Sequence, residues 1–184
     1  MRETVIVIGG GMAGVSAAAE LSEHFKVVLL ERETFHGVHS TGRSAASYIP
    51  SYGYDDPSLR LLTALSRTAF DNQLEGFSEV PLLKPRGLLT LSPVNHDNYT
   101  AELEQLHSYF PSIVAVENLQ REFPSIPVKP EFATRGWLES DATDIDVDAS
   151  LQAYLRKLKR GDGVVFTGIT IEKIEHGHGS WAVT

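Results

Sequence analysis

The fold is decided by the stretch Thr4-Val5-Ile6-Val7-Ile8-Gly9-Gly10-Gly11-Met12-Ala13-Gly14. A continuous β-branched run ends in glycines, and small or apolar residues follow at helical spacing as far as Leu21, which predicts a strand, a tight turn and a helix. The run Lys26-Val27-Val28-Leu29-Leu30 predicts a second strand. This order is typical of a βαβ unit that holds a dinucleotide.

Three glycines and one acid give the unit its ligand-binding pattern. Gly9 permits the sharp turn, Gly11 lets the backbone approach a pyrophosphate, and Gly14 lets the helix pack close to the sheet. The phosphates are expected at the helix N-terminus, where unpaired N–H groups and the helix dipole favour negative charge. Glu31 follows at the distance from which a carboxylate binds ribose hydroxyls. A glycine turn without a ligand is the alternative, and the complete order of elements favours the dinucleotide.

Composition limits the classes of function. The net charge of -8 argues against nucleic acid or an anionic membrane surface as the main partner. Because the chain has no cysteine, it contains no disulfide, thiolate metal site, cysteine nucleophile or cysteinyl flavin link. No apolar run approaches the roughly 20 residues of a membrane span, and the early strand leaves no room for a signal peptide. We therefore expect a cytoplasmic protein without an integral membrane segment.

A second ligand-facing region is expected directly after the second strand. Residues 32–48 are polar at first and then small, which predicts a loop that feeds a short helix. Ser40, Thr41, Gly42 and Ser44 would offer hydroxyl and N–H groups at the start of that helix to an anionic or polar ligand. A capped helix without a ligand is an equal alternative.

The rest of the chain alternates helices and strands. Asp56-Pro57 predicts the start of a scaffold helix that runs to about Asn72. Residues 135–139 predict a strand of a second sheet. Val164-Val165-Phe166 is expected to rejoin the first sheet in parallel after a crossover helix, and residues 169–183 predict a β-hairpin.

Two patterns suggest a metal ion, and both have a better explanation. Asp144, Asp146 and Asp148 alternate as in a calcium loop, but Ala149 stands where that loop needs glycine and Leu155 where it needs glutamate. A helix cap by Asp146 or Asp148 is the better hypothesis.

The second pattern is a histidine pair. His176 and His178 lie two residues apart without a third ligand nearby, so we expect exposed turn residues there. No metal site is predicted.

Several motifs together resemble the FAD-dependent amine and amino-acid oxidoreductases, a family that includes D-amino-acid oxidase, glycine oxidase and sarcosine oxidase. The opening turn with Leu30-Glu31-Arg32 is shared widely among flavoproteins. The more specific motifs are most similar to the D-arginine dehydrogenase branch. They are His39-Ser40-Thr41-Gly42-Arg43-Ser44-Ala45-Ala46, Phe70-Asp71-Asn72, Pro81-Leu82-Leu83-Lys84-Pro85-Arg86 and Thr143-Asp144-Ile145-Asp146.

The resemblance implies an α/β fold. A Rossmann-like FAD-binding domain, with a parallel sheet, helices and a β-hairpin, would be joined to part of an α+β substrate domain. Residues 1–78 would form the first part of the FAD-binding domain, 79–140 a segment of the substrate domain, and 141–184 the return to the FAD-binding domain. Because the second hairpin strand has barely begun at Thr184, a C-terminal remainder is expected to be missing.

The resemblance also implies the cofactor contacts. The opening glycines would hold the pyrophosphate of FAD, Glu31 and Arg32 the adenosine ribose, and residues 40–47 the path toward the isoalloxazine. Ile171 would touch the adenine through its backbone. The expected cofactor-binding residues are Gly9, Gly11, Met12, Ala13, Gly14, Glu31, Arg32, His39, Ser40, Thr41, Gly42, Arg43, Ser44, Ala45, Ala46, Ser47 and Ile171.

Two departures from the D-arginine branch bear on the substrate. Ser47 stands where that branch would have a histidine, and Leu88 stands where an acid would pair with a cationic side chain. A substrate guanidinium against leucine would carry a desolvation cost of at least a few kcal/mol. An apolar or small amino acid, or a secondary amine, is therefore expected. Ser47, Tyr52 and Leu88 are the expected substrate-binding residues, with Tyr52 in a loop that covers the substrate.

The activity implied by the resemblance is oxidation of the CH–NH bond of an amino acid or amine to an imine. A hydride would pass to flavin N5, and oxygen or a quinone would accept the electrons. No catalytic residue is assigned, because the arginine that holds the substrate carboxylate in this family comes from a later part of the sequence. The alternatives are oxidation of a hydroxy acid or a glycerol-3-phosphate-type substrate, and a non-catalytic FAD-binding subunit.

Overall fold

The computed structural model describes residues 2–73, 75–177 and 179–184. The chain forms two compact units. The first contains Met1–Ala45, Leu74–Leu82 and Asp146–Thr184, and the second contains Ala46–Gln73 and Leu83–Ile145.

The described residues form strands and helices in the following order. They are β1 (Thr4–Ile8), α1 (Met12–Leu21), β2 (Lys26–Leu30), β3 (Ser47–Tyr48), α2 (Pro57–Asp71), β4 (Leu83–Pro85), β5 (Leu88–Pro93), α3 (Tyr99–Tyr109), β6 (Ile113–Val116), α4 (Leu119–Glu122), β7 (Ala133–Glu139), β8 (Thr143–Ile145), α5 (Val147–Arg160), β9 (Val164–Phe166), β10 (Ile174–Gly177) and β11 (Ser180–Val183).

The boundaries 1–78, 79–140 and 141–184 that the resemblance implies separate cofactor-binding from substrate-binding segments, which is a different kind of division from these compact units. Residues 46–73 group with the second unit, because β3 pairs with β8 of that unit. Which segments bind the cofactor and which bind the substrate stays a prediction.

The first unit contains a parallel sheet in the order β1-β2-β9. Ile6 of β1 lies opposite Val28 of β2, and Val28 lies opposite Val164 of β9. The predicted βαβ unit and the parallel return of the strand at 164–166 are confirmed. Beside the sheet, α1 and α5 share a core that consists of Val15, Ala18, Ala19, Val27, Leu29, Leu151, Leu155 and Leu158.

Small residues let α1 lie close to the turn that follows β1. A Cβ atom placed on Gly14 would stand 1.9 Å from the carbonyl oxygen of Gly9. Ala18 and Ala19 are completely buried on the same helix. The position of α1 therefore depends on the absence of a side chain at Gly14.

The crossover helix α5 is capped by an aspartate. The side chain of Asp146 accepts a hydrogen bond of 3.0 Å from the N–H of Ala149. Lys157, Lys159 and Arg160 lie in the last turn, where positive charge complements the helix dipole. The predicted capping role is confirmed for Asp146.

The second unit contains two antiparallel sheets, in the orders β3-β8-β4 and β5-β7-β6. The strand predicted at residues 135–139 is confirmed as the central strand β7. Trp137 of β7 packs with Tyr99, Leu106 and Ile113 in a buried cluster. The Tyr99 hydroxyl donates a 2.6 Å hydrogen bond to the carbonyl of Gly136, so the polar end of this buried ring is satisfied.

The helix predicted from Asp56 to about Asn72 is confirmed as α2. The Asp56 carboxylate accepts hydrogen bonds from the N–H groups of Ser58 and Leu59, at 2.7 and 3.2 Å. None of the described residues of α2 is buried, and its role as scaffold stays a prediction. Leu62 and Leu65, at helical spacing, are both exposed.

The short helix predicted around residues 40–44 is wrong. This segment consists of turns. Gly37 has a left-handed backbone with φ +72, and its carbonyl accepts a 2.7 Å hydrogen bond from the N–H of Gly42, five residues later. That spacing is too long for the α-helical pattern, so the chain closes into a loop instead.

None of the helices among the described residues is long and apolar enough to cross a membrane.

We expect Gly14→Ala to lower the free energy of unfolding by about 1–3 kcal/mol, because the added methyl group overlaps the Gly9 carbonyl and forces α1 away from the turn. Urea denaturation followed by circular dichroism measures this change. Gly177→Ala is the matched control, since a Cβ there meets nothing within 4 Å. Equal stability of Gly14→Ala and the unmodified protein would contradict the packing argument.

Candidate functional site

The turn between β1 and α1 is made of glycines. Gly9 has φ +106, which only glycine adopts readily, and its N–H donates to the Leu30 carbonyl at 2.8 Å. Gly11 occupies the N-cap position and, as a glycine, supplies no capping side chain of its own. A helix N-terminus with glycine on its approach suits an anionic group that comes close to the backbone.

Glu31 places a buried carboxylate directly against this turn. Its Oε2 atom accepts a 2.5 Å hydrogen bond from the N–H of Gly10, and its Oε1 atom accepts one of 2.8 Å from the N–H of Glu33. Burial alone would raise the pKa of Glu31, but the backbone donors of Glu33, Gly10 and Arg32 lower it below the ordinary value. Glu31 is therefore an anion at neutral pH.

The side chain of His36 also lies next to Gly10 and Glu31. A Cβ atom on Gly10 would stand 2.4 Å from His36 Nδ1 and 2.8 Å from Glu31 Oε2. The Nδ1 atom is buried and has no hydrogen-bond partner in the described part of the chain. Burial lowers the pKa of His36, the charge of Glu31 raises it and that of Lys159 lowers it, and the net change is downward. His36 is therefore neutral at pH 7. A cavity of about 690 Å³ borders the imidazole, with Gln152 also in its lining.

The loop at residues 37–44 reaches the start of α1. Thr41 Oγ1 accepts a 3.0 Å hydrogen bond from the N–H of Met12, and a Cβ on Gly11 would stand only 3.2 Å from the same oxygen. The structure thus brings together Gly11, Met12 and Thr41, three of the residues predicted to bind the cofactor.

Two other predicted cofactor residues meet at Glu33. His39 Nε2 lies 2.9 Å and Arg32 Nη2 lies 3.0 Å from Glu33 Oε1. Hydrogen bonds from His39 and Arg32 lower the pKa of Glu33. Arg32 and His39 therefore form one exposed ionic cluster beside the end of β2.

The remaining predicted residues divide between the two units. Ile171 belongs to the first unit and is partly buried in the segment after β9, and Ala45 also lies in that unit. Ala46 and Ser47 belong to the second unit. Ala46 has a left-handed backbone with φ 51, which is uncommon for a residue with a side chain. The list for the first unit is completed by Ala13, Ser40, Gly42, Arg43 and Ser44.

The three predicted substrate residues all lie in the second unit. Ser47 of β3 stands opposite Asp144 of β8. Tyr52 lies in the turn after β3 with 65% of its surface exposed, and Leu88 begins β5 opposite Glu139.

A hydrogen-bonded chain in the second unit was not predicted from the sequence. Ser92 Oγ lies 3.1 Å from His96 Nδ1, His96 Nε2 lies 3.1 Å from Glu102 Oε2, and the Tyr54 hydroxyl donates to Glu102 Oε1 at 3.0 Å. Ser92 is fully buried, so this serine, histidine and acid do not form an accessible nucleophilic site.

Sequence reasoning also missed Gly10, His36 and Arg86. The signal for Gly10 was its place as the middle glycine of the Gly9-Gly10-Gly11 run, and its N–H is bonded to Glu31. No local pattern pointed to His36, because Gly10 and Lys159, which contribute to its environment together with the nearby Glu31, are far away in the sequence. Arg86 precedes Gly87, which has φ +76, and a proline-arginine-glycine turn next to a strand was a usable signal.

In the described part of the chain, no group of three or more His, Asp or Glu side chains is arranged to hold a metal ion. His178, half of the predicted turn pair, lies outside the described residues.

The chain was compared with known proteins. The family model described as FAD dependent oxidoreductase (DAO) matches residues 4–184. The phytoene desaturase of Cercospora nicotianae is 42% identical over 71 residues, which is 38% of this chain and 11% of that protein.

Two solved structures show the fold over 99% of this chain. One is NikD, an unusual amino acid oxidase essential for nikkomycin biosynthesis, with a TM-score of 0.77 and 23% identity over 48% of its own chain. The other is the dithionite-reduced L-α-glycerophosphate oxidase of Mycoplasma pneumoniae with FAD bound, with a TM-score of 0.75 and 18% identity over 49% of its chain. This chain thus spans about half the length of each of these proteins.

The chain belongs to the DAO family of FAD-dependent oxidoreductases, and its cofactor is FAD. The residues present suit this group. Glycine at Gly9, Gly11 and Gly14 leaves the backbone at the start of α1 open to a close-lying ligand, and the buried Nδ1 atom of His36 has no partner among the described residues, next to the Glu31 carboxylate.

We expect Glu31→Gln to lower the free energy of unfolding at pH 7 by about 1–3 kcal/mol, because the amide cannot replace both charge-assisted acceptors. The folded pKa of Glu31 is lowered. Its stabilisation is therefore present above the unfolded pKa of about 4.3 and is lost as the pH falls through the folded pKa. Urea denaturation at pH 7 and pH 3 measures both effects.

Glu3→Gln is the control for this variant, since Glu3 is exposed. The same difference from the unmodified protein at both pH values would show that the Glu31 charge is not the cause.

We expect His36→Gln to flatten the pH dependence of stability below pH 6.5. The folded pKa of His36 is lowered from 6.5 by burial, so the unfolded chain takes up the proton first as the pH falls. Stability is therefore complete above pH 6.5 and decreases between that value and the folded pKa. Denaturation midpoints at half-unit steps from pH 7.5 to 5 measure the slope, with the exposed His24→Gln as control. A steeper slope in His36→Gln would refute a neutral, buried imidazole.

Proposed function

We propose that this chain oxidises the CH–NH bond of an amino acid or amine to an imine, with hydride transfer to N5 of FAD. The observation that carries the proposal is the glycine-lined start of α1 beside the buried carboxylate of Glu31, together with membership of the family. The amino-acid oxidase NikD, which shares the fold, supports an amine substrate.

The first unit would bind the cofactor. The pyrophosphate would lie at Gly9, Gly11 and Gly14, where backbone N–H groups meet the positive end of the helix dipole. Backbone donors lower the pKa of Glu31 and so keep its carboxylate ionised. The ionised carboxylate would accept hydrogen bonds from the ribose hydroxyls. When bound, FAD supplies the hydride acceptor for the oxidation.

The second unit would bind the substrate. Ser47, Tyr52 and Leu88 are the proposed contacts, and the exposed Tyr52 would cover the ligand. The motif at residues 39–46 supports the D-arginine dehydrogenase branch. Leu88 argues for a different side-chain preference within that branch, because leucine offers no charge to a cationic group. The proposed substrate is therefore an amino acid or secondary amine without a cationic side chain.

A second candidate is oxidation of a glycerol-3-phosphate-type substrate or a hydroxy acid. The shared fold with the L-α-glycerophosphate oxidase supports it. A non-catalytic FAD-binding subunit is the third. In each catalytic case we propose oxygen or a quinone as the electron acceptor, and we propose a cytoplasmic location.

The three candidates differ in what they predict for the purified chain mixed with FAD. We expect an absorption band near about 450 nm that persists after removal of free flavin, and its loss when an apolar D-amino acid or a secondary amine is added without oxygen. Glycerol 3-phosphate and a hydroxy acid are the comparison substrates.

Each result selects one candidate. Bleaching by glycerol 3-phosphate alone favours the second candidate, and a stable band with every substrate favours the binding subunit. Glu31→Gln is the variant that tests the cofactor site. If the unmodified chain retains no flavin, all three candidates are contradicted.

A further inference from the structure

The loop that carries Tyr52, residues 49–56, is a series of hydrogen-bonded turns. Three bonds join an N–H group to the carbonyl three residues earlier, in the pairs Tyr52 to Ile49, Tyr54 to Ser51 and Asp56 to Gly53, at 3.1, 3.0 and 2.9 Å. Gly53 has φ +67, and a Cβ atom there would stand 2.6 Å from the Cβ atom of Leu59. The loop therefore has a defined backbone that lies directly against α2.

A buried glutamate holds the first half of this loop. Ser51 Oγ donates to Glu139 Oε1 at 2.8 Å, and the N–H of Ser51 donates to Glu139 Oε2 at 3.4 Å. Ser51 is 9% exposed and Glu139 is 2% exposed. Glu139 lies in the central strand β7, opposite Leu88 of β5 and Ile113 of β6, so its backbone is fixed on both sides. Because a buried carboxyl group without its donor carries a desolvation cost, this contact is unfavourable to break.

A second carboxyl group holds the other half of the loop. The Tyr54 hydroxyl donates to Glu102 Oε1 at 3.0 Å, and Glu102 Oε2 lies 3.1 Å from His96 Nε2. The Tyr54 carbonyl accepts a 2.5 Å hydrogen bond from Arg60 Nη1. The guanidinium of Arg60 in turn lies 4.0 Å from the centroid of the Tyr109 ring. The loop is thus attached to α2 and α3 as well as to β7.

Tyr52 stands between these two attachments, and its side chain is free to move. It is 65% exposed, and its hydroxyl makes no hydrogen bond with the residues that the structure describes. Movement of the loop as a unit would break the bonds of Ser51 and Tyr54. Rotation of the Tyr52 side chain breaks neither of them, and exposed side chains rotate faster than loop backbones move.

We propose that Glu139 and Glu102 are positioning residues that fix the backbone on either side of Tyr52. Tyr52 then covers the substrate by rotation of its side chain, and the loop stays in place. This inference rests on the proposed function, in which Tyr52 covers the substrate. Glu139 acts through Ser51 and Glu102 acts through Tyr54. A substrate therefore enters without a slow opening of the loop, and loop movement does not limit kcat.

The fixed backbone can be tested without the cofactor, by amide hydrogen exchange followed by NMR. In the unmodified chain, the N–H groups of Tyr52 and Tyr54 are expected to exchange at least about tenfold more slowly than in an unstructured chain. Ser51→Ala removes the donor to Glu139, and Tyr54→Phe removes the donor to Glu102. We expect each variant to speed exchange at positions 52 and 54 at least about tenfold, because a bond to a carboxyl group is lost.

Two variants of the same unit serve as matched controls. Ser140→Ala and Tyr109→Phe each remove one hydroxyl group from an exposed residue. Neither hydroxyl bonds to the loop within the described residues. We therefore expect exchange at positions 52 and 54 to stay unchanged in both controls.

The cofactor-loaded protein shows whether Ser51 acts through Tyr52. KM is measured with whichever substrate bleaches the flavin. We expect Tyr52→Ala to raise KM about tenfold, and Ser51→Ala to raise it about threefold or more with little change in kcat. In a chain that already carries Tyr52→Ala, we expect Ser51→Ala to have no further effect on KM, because two residues that act on one contact are not additive.

The outcomes separate this inference from the proposed function. Exchange at position 52 as fast as in an unstructured chain, or equal exchange in Ser51→Ala and Ser140→Ala, overturns the fixed loop. Equal effects of Ser51→Ala on KM with and without Tyr52 overturn the positioning role and leave the oxidation intact. Bleaching by glycerol 3-phosphate alone, together with the expected changes of KM, supports the positioning role and overturns the amine substrate.

Discussion

The first unit depends on the contact between Gly14 of α1 and the carbonyl of Gly9. This approach is possible only without a Cβ atom, since one would stand 1.9 Å from the oxygen. It fixes the start of α1 over the carboxyl end of β1, which directs the positive end of the helix dipole to this turn. Burial of Ala18 and Ala19 follows from the same close packing. The packing constraint on the backbone and the positive potential at the turn therefore have one cause.

Glu31 connects this turn to the second strand. Its carboxylate bonds to Gly10 before the helix and to Glu33 after the strand, so one side chain holds both loops of the site. Burial of a charge is unfavourable, and the backbone donors offset it. The neighbouring His36 stays neutral because it is itself buried. This part of the first unit therefore carries one fixed negative charge at Glu31 and positive backbone dipoles at the start of α1.

The sequence predicted those parts of the fold that depend on local patterns. The β-branched run, the glycines and Asp56-Pro57 lie within a few residues of the structure they specify, and β1, α1 and α2 were confirmed. Residues 40–44 were predicted as a helix because their hydroxyls suit a helix start. A hydrogen bond from the N–H of Gly42 to the carbonyl of Gly37, five residues earlier, closes them into a loop instead. The helix propensities of the individual residues do not predict that bond. Gly10, whose position adjoins the buried Nδ1 atom of His36, is 26 residues earlier in the sequence, so no local pattern could reveal that this atom is buried.

The second unit contains both departures from the D-arginine branch that the resemblance identifies. Ser47 stands where that branch would have a histidine, and Leu88 stands where it would have an acid. In the structure, Nη1 of Arg86 donates to Ser47 Oγ and to Asp144 Oδ1. Ser47 therefore helps to connect β3 and β8 to the turn after β4, in addition to the substrate contact proposed for it. Its substitution would change the structure of this sheet as well as the surface that it offers to a ligand.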